Sequence, residues 1–315
     1  MTQAIDGAID GLSVTRAGPL ALLQDAGRFG VRRLGVTQGG PVDLHGWAWA
    51  NHLAGNAWGT PALEVTFGGL ELVAERDLVL AVAGADLSAT LDGEPLAGWR
   101  SLSVKAGQRL AFGAPVNGLR AYLAVAGGFA AQPVLGSVAC VVREGLGGHD
   151  GQGHRLAAGD CLQVTPRRAC ATREAPGEAP FDYRRPAELA LLPGAQISEF
   201  SGASLFLAFN APWRVDDRAD RMGVRLTGPR LDCRMASMIS EGIGLGAVQV
   251  PPDGQPIALL NDRQTIGGYP RLGALTPLAC SRLAQCLPGQ EVWLKAVSTD
   301  RALEAYRRFR AGFAR

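Results

Sequence analysis

Charged residues are scarce in this 315-residue chain, since Asp, Glu, Lys and Arg make up 19% of it while apolar residues make up 47%. This charged share is below that of an average globular domain. We therefore expect a chain that folds around sizeable cores and has part of its surface covered by a partner protein. The formal net charge of +2 also excludes the broad basic face that nucleic-acid binding needs.

Lysine is almost absent, and this excludes several familiar sites. Neither Lys105 nor Lys295, the two lysines of the sequence, follows a glycine-rich loop, so there is no phosphate-binding P-loop. Neither follows a methionine, so no covalent biotin is expected on this chain. A G-x-S-x-G elbow is missing too, which excludes the nucleophile arrangement of α/β-hydrolases.

A secretory leader and a transmembrane helix are not expected either. Asp6 and Asp10 interrupt the first residues, and no basic, apolar stretch accompanies them. The uncharged stretch 121–142 is long enough to span a membrane, but Gly127-Gly128 and Gln132-Pro133 divide it with turns. We therefore predict buried strands there and a cytoplasmic protein.

Cysteine and histidine do not form a metal motif. The six cysteines, at positions 140, 161, 170, 233, 280 and 286, form no C-x-x-C pair, so we expect reduced, mostly buried thiols. His149 and His154 lie in a glycine-rich loop, and His45 and His52 lie seven residues apart on a predicted helix. Neither spacing matches a zinc site, so no metal ligands are predicted.

Turn residues are abundant, with 42 glycines and 19 prolines, and short apolar runs lie between them. Residues 76–84 are typical of a buried strand, and Asp92-Gly93 predicts a hairpin turn. A turn glycine followed by Gln or Asp precedes a predicted strand at 107–108, 159–160 and 289–290. The pattern predicts a mainly β fold with a few short helices.

Helices are predicted at 43–54, 277–287 and about 300–309. Asp43 and Thr276 are suitable N-caps, and Pro277 suits a first helical turn. Between 167 and 186 the composition changes to Arg, Ala, Glu and Pro, which indicates a boundary. We predict an N-terminal lobe at 11–170, a C-terminal lobe at 186–297, and a helix or tail at 298–315.

Four polar segments are candidate sites. In 24–30, followed by 35–43, Asp25 and Arg28 stand among glycines, which is typical of a ligand-binding loop or of a surface ion pair in a turn. The spacing alone favours the ion pair. In 83–86, Gly84 and Asp86 follow a buried strand, so that Asp86 is equally typical of a ligand site and of a turn. In 220–226 two arginines lie four residues apart, as in a phosphate clamp or a solvated charge run.

The fourth segment extends from 249 to 270 and is the most unusual. Asp262, Arg263, Gln264 and Thr265 lie between a buried apolar run and the turn at Gly267-Gly268. Four hydrogen-bonding side chains at a strand end are costly unless they are satisfied. A ligand site and an internal network would both satisfy them, and we favour the ligand site, with Arg263 facing a cleft.

Together these segments resemble the allophanate hydrolase subunit 2, or biotin-dependent carboxyltransferase-like, family over residues 12–297. The family patterns fall on the chain in order: Q-D-x-G-R-x-G at 24–30, A-N-x-L-x-G-N at 50–56, G-A-D-L at 84–87, D-R-M-G-x-R-L at 220–226, S-E-G at 240–242, Q-V-P-x-x-G-Q-P at 249–256 and D-R-Q-T-x-G-G-Y-P at 262–270. Gly39, Val42 and His149 depart from the serine, methionine and aromatic residue common in the family.

The resemblance implies two cyclophilin-like β-barrel lobes and ATP-dependent opening of 5-oxoproline to L-glutamate. It implies ATP and Mg²⁺ in a complex with a directly bound B subunit and a functionally linked A subunit. Two alternatives stay open: a carboxyltransferase that moves a carboxyl group from biotin to a urea-like acceptor, and a non-enzymatic regulatory binding protein.

The predicted site residues follow from the segments and the resemblance together. The predicted catalytic residues are Asp25, Arg28, Asp262, Arg263, Gln264 and Thr265. The predicted substrate- or nucleotide-binding residues are Asp43, Asn51, Gly84, Asp86, Arg221, Arg225, Glu241, Gln249, Gln255, Gly267, Gly268 and Tyr269. The resemblance gives the arginines the role of holding phosphate, and the carboxylates of Asp25, Asp86, Asp262 and Glu241 that of holding Mg²⁺.

Overall fold

A computed structural model of the chain describes residues 11–165 and 172–313. Within them the fold is mainly β with short helices, as predicted. The helices are α1 (Leu44–Leu53), α2 (Gly202–Asn210), α3 (Pro277–Ala284) and α4 (Thr299–Ala311). Short 3-10 turns lie at Arg32–Leu34, Val142–Glu144 and Ile197–Glu199.

The N-terminal part of the chain forms two antiparallel sheets. Its strands are β1 (Gly11–Ala17), β2 (Leu20–Gln24), β3 (Ala62–Thr66), β4 (Leu70–Ala74), β5 (Leu78–Asp86), β6 (Thr90–Leu91), β7 (Glu94–Pro95), β8 (Arg100–Val104), β9 (Arg109–Ala111), β10 (Asn117–Val125) and β11 (Cys161–Gln163). One sheet has the order β11-β1-β4-β9-β6-β7, and the other β2-β3-β10-β5-β8. Their inner faces share one apolar core that includes Leu12, Leu63, Leu72 and Leu123. We call these strands the N-terminal sheets.

The C-terminal part forms a closed barrel, β12-β19-β16-β17-β14-β13-β20, and a two-stranded ribbon, β15-β18. The strands are β12 (Ala187–Pro193), β13 (Trp213–Val215), β14 (Gly223–Thr227), β15 (Glu241–Gly242), β16 (Ala247–Gln249), β17 (Ile257–Leu259), β18 (Ile266–Gly267), β19 (Arg271–Leu275) and β20 (Glu291–Ala296). β12 pairs with β20 in parallel. Alternate residues of the barrel strands point inward, and Trp213 is fully buried there.

The predicted caps of α1 and α3 are confirmed. The Asp43 side chain accepts hydrogen bonds from the backbone N–H groups of His45 and Gly46, and Thr276 accepts one from Ala279. α3 is shorter than predicted because Gln285 ends it and uses its side chain for contacts with the N-terminal sheets. α2 was not predicted, since its sequence is apolar on nearly every face and shows no helical period.

The turn pattern before strands is also confirmed. Gly107, Gly159 and Gly289 have φ values of 85°, 95° and 81° and lie directly before β9, β11 and β20. The uncharged stretch 121–142 contains the end of β10 and loops, and no helix in the described ranges is long and apolar enough to cross a membrane. Cys170 and part of the predicted boundary lie outside the described residues, and the division into two lobes stays a prediction.

Gly68 tests how closely the backbone segments at the end of the β4–β9 pair approach each other. Its φ is +78°, and a Cβ atom there would lie 1.7 Å from the carbonyl oxygen of Gly113. Gly107 has a similar φ of +85° but no atom within 4 Å of such a Cβ. We expect Gly107→Ala to lower the free energy of unfolding by about 1–2 kcal/mol, and Gly68→Ala to lower it by more, because backbone must move. Urea denaturation of both variants measures this, and equal losses would contradict the packing described.

Candidate functional site

Arg221 joins the C-terminal barrel to the N-terminal sheets through two buried carboxylates. Its Nε and Nη2 atoms donate to the Asp262 carboxylate at 2.9 and 3.0 Å. Nη1 donates to Glu64 in β3, and Nη2 also donates to the Gly40 carbonyl at 2.8 Å. The Arg221 side chain is 7% exposed and that of Glu64 is 0% exposed, so the pairs are held away from water.

Glu64 stays ionised because the protein replaces its water shell. Neighbours Leu63 and Val65 point into the core between the sheets, so Glu64 faces the opposite side, towards the barrel. The Tyr122 hydroxyl and the Val42 N–H donate to it at 2.7 and 3.0 Å. Burial alone would raise the pKa of Glu64, but the Arg221 charge, with these hydrogen bonds, lowers it below the ordinary value.

A second buried contact joins α1, β10 and α3. Asp43 accepts from Gln285 Nε2 at 2.6 Å, and Gln285 Oε1 accepts from the N–H groups of Leu119 and Arg120, both at 2.9 Å. Burial raises the pKa of Asp43 to about 6, although its hydrogen bonds oppose the shift. Asp43 is therefore a helix cap and a junction residue, with both oxygens engaged.

Two arginines beside this junction have no carboxylate partner. Arg263 is 2% exposed and donates to the carbonyls of Ile243 and Leu260 at 3.2 and 3.0 Å. Arg32 donates to the same Ile243 carbonyl and to that of Thr265 at 3.1 Å. Neither makes an ion pair within the described residues. We call Arg32 and Arg263 the arginine pair.

The arginine pair is electrostatically suited to an anion. Burial and the nearby Arg32 charge lower the pKa of Arg263 to about 10, so an added negative charge would stabilise both guanidinium groups. Arg32 Nη1 and Gln249 Nε2 are buried donors that lack a partner in the described chain. An unsatisfied buried donor on an unpaired cation, as at Arg32, suits a carboxylate or phosphate group.

A groove of about 740 Å³ lies beside Asp262. Arg143, Arg155 and His154 line it from the N-terminal part of the chain, and Asp220 and Arg221 from the barrel part. Its volume is in the range of small-molecule sites. The segment 262–263 thus contributes Asp262 to the groove and Arg263 to the arginine pair.

Part of the fourth predicted segment, from Arg263 to Gly267, lies at the arginine pair. Gly267 pairs with Glu241 in the β15–β18 ribbon. A Cβ at Gly267 would lie 2.8 Å from Gln249 Nε2, so glycine permits this approach. Gln264 and Gly268 lie on either side of this turn, half-buried, and Tyr269 is 43% exposed. The expectation that Arg263 faces a cleft is wrong, because carbonyl groups enclose its guanidinium.

Asp25 and Arg28 do not join this group. Asp25 accepts from Gly27 N–H at 2.9 Å, Ser137 Oγ at 2.5 Å and Val138 N–H at 2.8 Å. Arg28 is 1% exposed and donates to the Val134 carbonyl at 3.0 Å. The alternative of a surface ion pair is therefore wrong, since both side chains hold the loop 134–138 from inside.

Five further predicted residues lie elsewhere, each with local contacts. Asn51 donates to the Thr60 carbonyl at 3.0 Å, and Asp86 accepts from Ser88 N–H at 2.9 Å. The remaining contacts are those of Arg225 with Asp253, of Gln255 with Gly228 at 2.8 and 3.2 Å, and of the Gly84 carbonyl with Trp99 Nε1 at 3.2 Å. These residues bind turns and helix ends together in the free chain.

Sequence reasoning missed Glu64, Tyr122, Gln285 and Arg32 as site residues. Glu64 carried a usable signal: a carboxylate in the middle of the strand Ala62–Thr66, flanked by leucine and valine, must be buried or paired. Arg32 and Gln285 carried no such signal in the sequence, because the residues that they contact lie far along the chain.

These features define a carboxyltransferase-type β domain. The described chain superposes on the crystal structure of Kluyveromyces lactis urea carboxylase with a TM-score of 0.90 and 26% identity, over 98% of this chain and 29% of that one. The carboxyltransferase domain, subdomain A and B, matches residues 34–296, and the chain belongs to this family. This confirms the predicted fold class and family resemblance.

Two relatives match over nearly their own full length. The chain is 38% identical to the C subunit of 5-oxoprolinase from Escherichia coli, over 93% of this chain and 94% of that protein. It is 35% identical to the C subunit of 5-oxoprolinase from Haemophilus influenzae, over 91% and 92%. By contrast, it spans only 29% of the urea carboxylase chain.

Removal of Arg221 tests the junction. Arg221→Met leaves Asp262 buried without a cation and leaves Glu64 with Arg120 alone, whose Nε lies 3.9 Å from its carboxylate. We therefore expect it to lower the free energy of unfolding by about 3–5 kcal/mol. Arg225→Met, four residues away, removes a partly exposed pair with Asp253 and should change it by at most about 1 kcal/mol. Chemical denaturation compares them. Similar losses of unfolding free energy in the two variants would show that the Arg221 contacts stabilise the fold no more than a partly exposed ion pair does.

The acid response of Glu64 is a separate test. Its pKa in the folded chain lies below its ordinary value of 4.5, so its stabilising contribution is present above that pH and is lost as the pH falls below it. Glu64→Gln lacks this ionisation. We therefore expect the stability difference between the native chain and Glu64→Gln to be widest near pH 7 and to shrink below pH 4.5. A difference independent of pH would contradict an ionised Glu64.

Proposed function

We propose that this chain is the C subunit of an ATP-dependent 5-oxoprolinase, which opens 5-oxoproline to L-glutamate together with A and B subunits. One observation carries the proposal: the chain corresponds to the C subunit of the Escherichia coli 5-oxoprolinase at 38% identity over 94% of that protein. Urea carboxylases share the fold, but the chain corresponds to a fraction of their length. A cytoplasmic location is part of the proposal.

The arginine pair supplies the chemistry that this chain would contribute. A lactam is a poor electrophile, and phosphate transfer from ATP to its oxygen would activate the carbonyl carbon. Arg32 has no counterion and an unpaired Nη1 within the described residues, so it suits either the substrate carboxylate or a phosphate group, and the enclosed Arg263 adds a nearby positive charge.

ATP and Mg²⁺ are proposed as ligands of the assembled complex and not of this chain alone. The oxygens of Asp25 and Asp262 already accept hydrogen bonds from the protein. Asp86 and Glu241 lie apart from them, and Glu241 pairs with Arg271. No group of three potential metal ligands occurs in the described ranges, so in this proposal the phosphates of ATP, water and carboxylates of partner subunits complete the Mg²⁺ site.

Exposed apolar side chains favour a partner near the arginine pair. Phe29 and Leu34, on the loop that carries Arg32, are 70% and 63% exposed. Ile266, next to Thr265, is 59% exposed, and Ile239 is 91% exposed. We propose that the B subunit binds here and buries an interface above about 2,000 Å² in total. The chain on its own should then have no oxoproline-dependent ATP hydrolysis.

Arg32→Gln in the assembled complex tests the proposed role of the pair. We expect kcat for ATP-dependent glutamate formation to fall by about 10²-fold, as loss of a charge-stabilising donor does. Arg33→Gln, which changes the exposed neighbour, is the matched control and should retain activity. Arg263 is less suitable, since its burial makes Arg263→Ala destabilising as well.

Co-purification with the A and B subunits and thermal melting accompany this assay. An Arg32→Gln complex that assembles, melts normally and turns over like Arg33→Gln would remove the arginine pair from the mechanism. Separate elution of this chain and the B subunit at micromolar concentration would contradict the partnership. Steady turnover by this chain alone would contradict the proposal that activity requires the partner subunits.

Carboxyl transfer from biotin to a urea-like acceptor is the second candidate, because of the TM-score of 0.90 with urea carboxylase. The domain that carries the covalently bound biotin would come from another protein. Biotin-dependent carboxylation of urea by a reconstituted complex, without oxoproline turnover, would favour it. A chain active in neither assay would favour a regulatory binding protein.

A further inference from the structure

A second cavity, of about 580 Å³, lies where α1, α3 and α4 meet. His45 of α1, Arg282 of α3 and Phe309 of α4 line it, together with Phe181 and Tyr183. The family match ends at residue 296, so α4 adds a wall to the matched domain. The volume is sufficient for a small organic molecule.

Three buried polar atoms around this cavity lack a hydrogen-bond partner within the described residues: His45 Nδ1, Tyr183 Oη and Arg282 Nη1. They belong to one cluster. The His45 ring lies 4.7 Å from that of Phe181, and the Arg282 guanidinium lies 5.0 Å from the Tyr183 ring centre. Tyr183 is only 2% exposed. Unsatisfied polar groups destabilise a folded chain, and three at one cavity indicate a ligand that supplies their partners.

The charges on the walls favour an anion. Arg282, Arg301 and Arg308 line the cavity, against Asp43 and Glu188, and Arg308 also pairs with Glu304 at 2.8 Å, which leaves Arg282 and Arg301 as the main cations. The Asp43 oxygens already accept hydrogen bonds from α1 and Gln285, and the Glu188 side chain is 74% exposed. The positive charges of the arginines therefore favour a negatively charged ligand.

The rest of the wall is apolar and the remaining polar groups are neutral. Leu278, Val297 and Ala302 line the cavity beside the two phenylalanines. Burial lowers the pKa of His45 to about 4 and raises that of Tyr183, so at neutral pH both are uncharged hydrogen-bonding groups. Such walls suit the hydrocarbon part of a ligand.

We propose that this cavity binds a small organic carboxylate with an apolar body. The carboxylate bonds to Arg282 and to the Tyr183 hydroxyl, with Arg301 nearby, and the hydrocarbon part packs against Phe181 and Phe309. The unsatisfied atoms lie just below the wall, so binding includes small side-chain rotations of the kind common at binding sites. The site is separate from the arginine pair and does not depend on the proposed function.

Isothermal titration of the full chain with 4-phenylbutyrate is the test, with neutral 4-phenylbutyramide as the matched ligand. We expect saturable binding of the acid with a Kd of about 2 mM or tighter, and at least about tenfold weaker binding of the amide. Tyr183→Phe should weaken the acid about 3–10-fold. Its melting temperature should not fall, because the hydroxyl has no partner to lose among the residues that the structure describes.

Arg301→Gln and Arg307→Gln complete the experiment. Both change α4, but Arg301 lines this cavity and Arg307 lies on a different surface of the helix. We expect weaker binding in Arg301→Gln and native binding in Arg307→Gln. Absence of saturable binding, equal affinity for acid and amide, or equal effects of the two variants would each overturn the proposal. Unchanged affinity in Tyr183→Phe would overturn it too.

Discussion

The Arg221 guanidinium, held between Asp262 and Glu64, is the contact on which the junction of barrel and sheets depends. A buried charge is tolerated only when its partners replace the lost water. Here the partners come from both parts of the chain, since Glu64 belongs to β3 and Asp262 follows β17. The barrel must therefore dock on the sheets in one orientation, because a shifted one would leave a charge unpaired.

The two groups of arginines at this junction differ in one respect. Arg221 is neutralised by carboxylates, while Arg32 and Arg263 share a carbonyl and have no anion among the described residues. Arg221 fixes the orientation of the barrel against the N-terminal sheets. This arrangement holds the two unpaired cations of the arginine pair close together. Their mutual repulsion is balanced by the fold and would be relieved by an anionic ligand.

The sequence predicted what short-range chemistry controls. Asp43 caps α1, the turn glycines precede their strands, and the ordered motifs identify the family. It did not predict α2, whose apolar residues lack a helical period, or the early end of α3 at Gln285. It also could not predict that Arg263 is enclosed while Arg32 lies beside it, because these side chains meet across more than two hundred residues. The sequence thus identified segments that contribute to the site, but only the folded structure shows which side chains contact one another.

The closure of the barrel has a consequence for how the chain is made. β12, the first barrel strand, pairs with β20, the last, and β20 also pairs with β13. During synthesis from the N-terminus, β12 and β13 therefore emerge long before the strand that joins them, and both present unpaired backbone groups that other chains can bind. All strands of the N-terminal sheets have emerged once residue 163 has left the ribosome, but the barrel must wait until residue 296 has left it. A chaperone acting in that interval would be expected to bind nascent chains that end between β13 and β20.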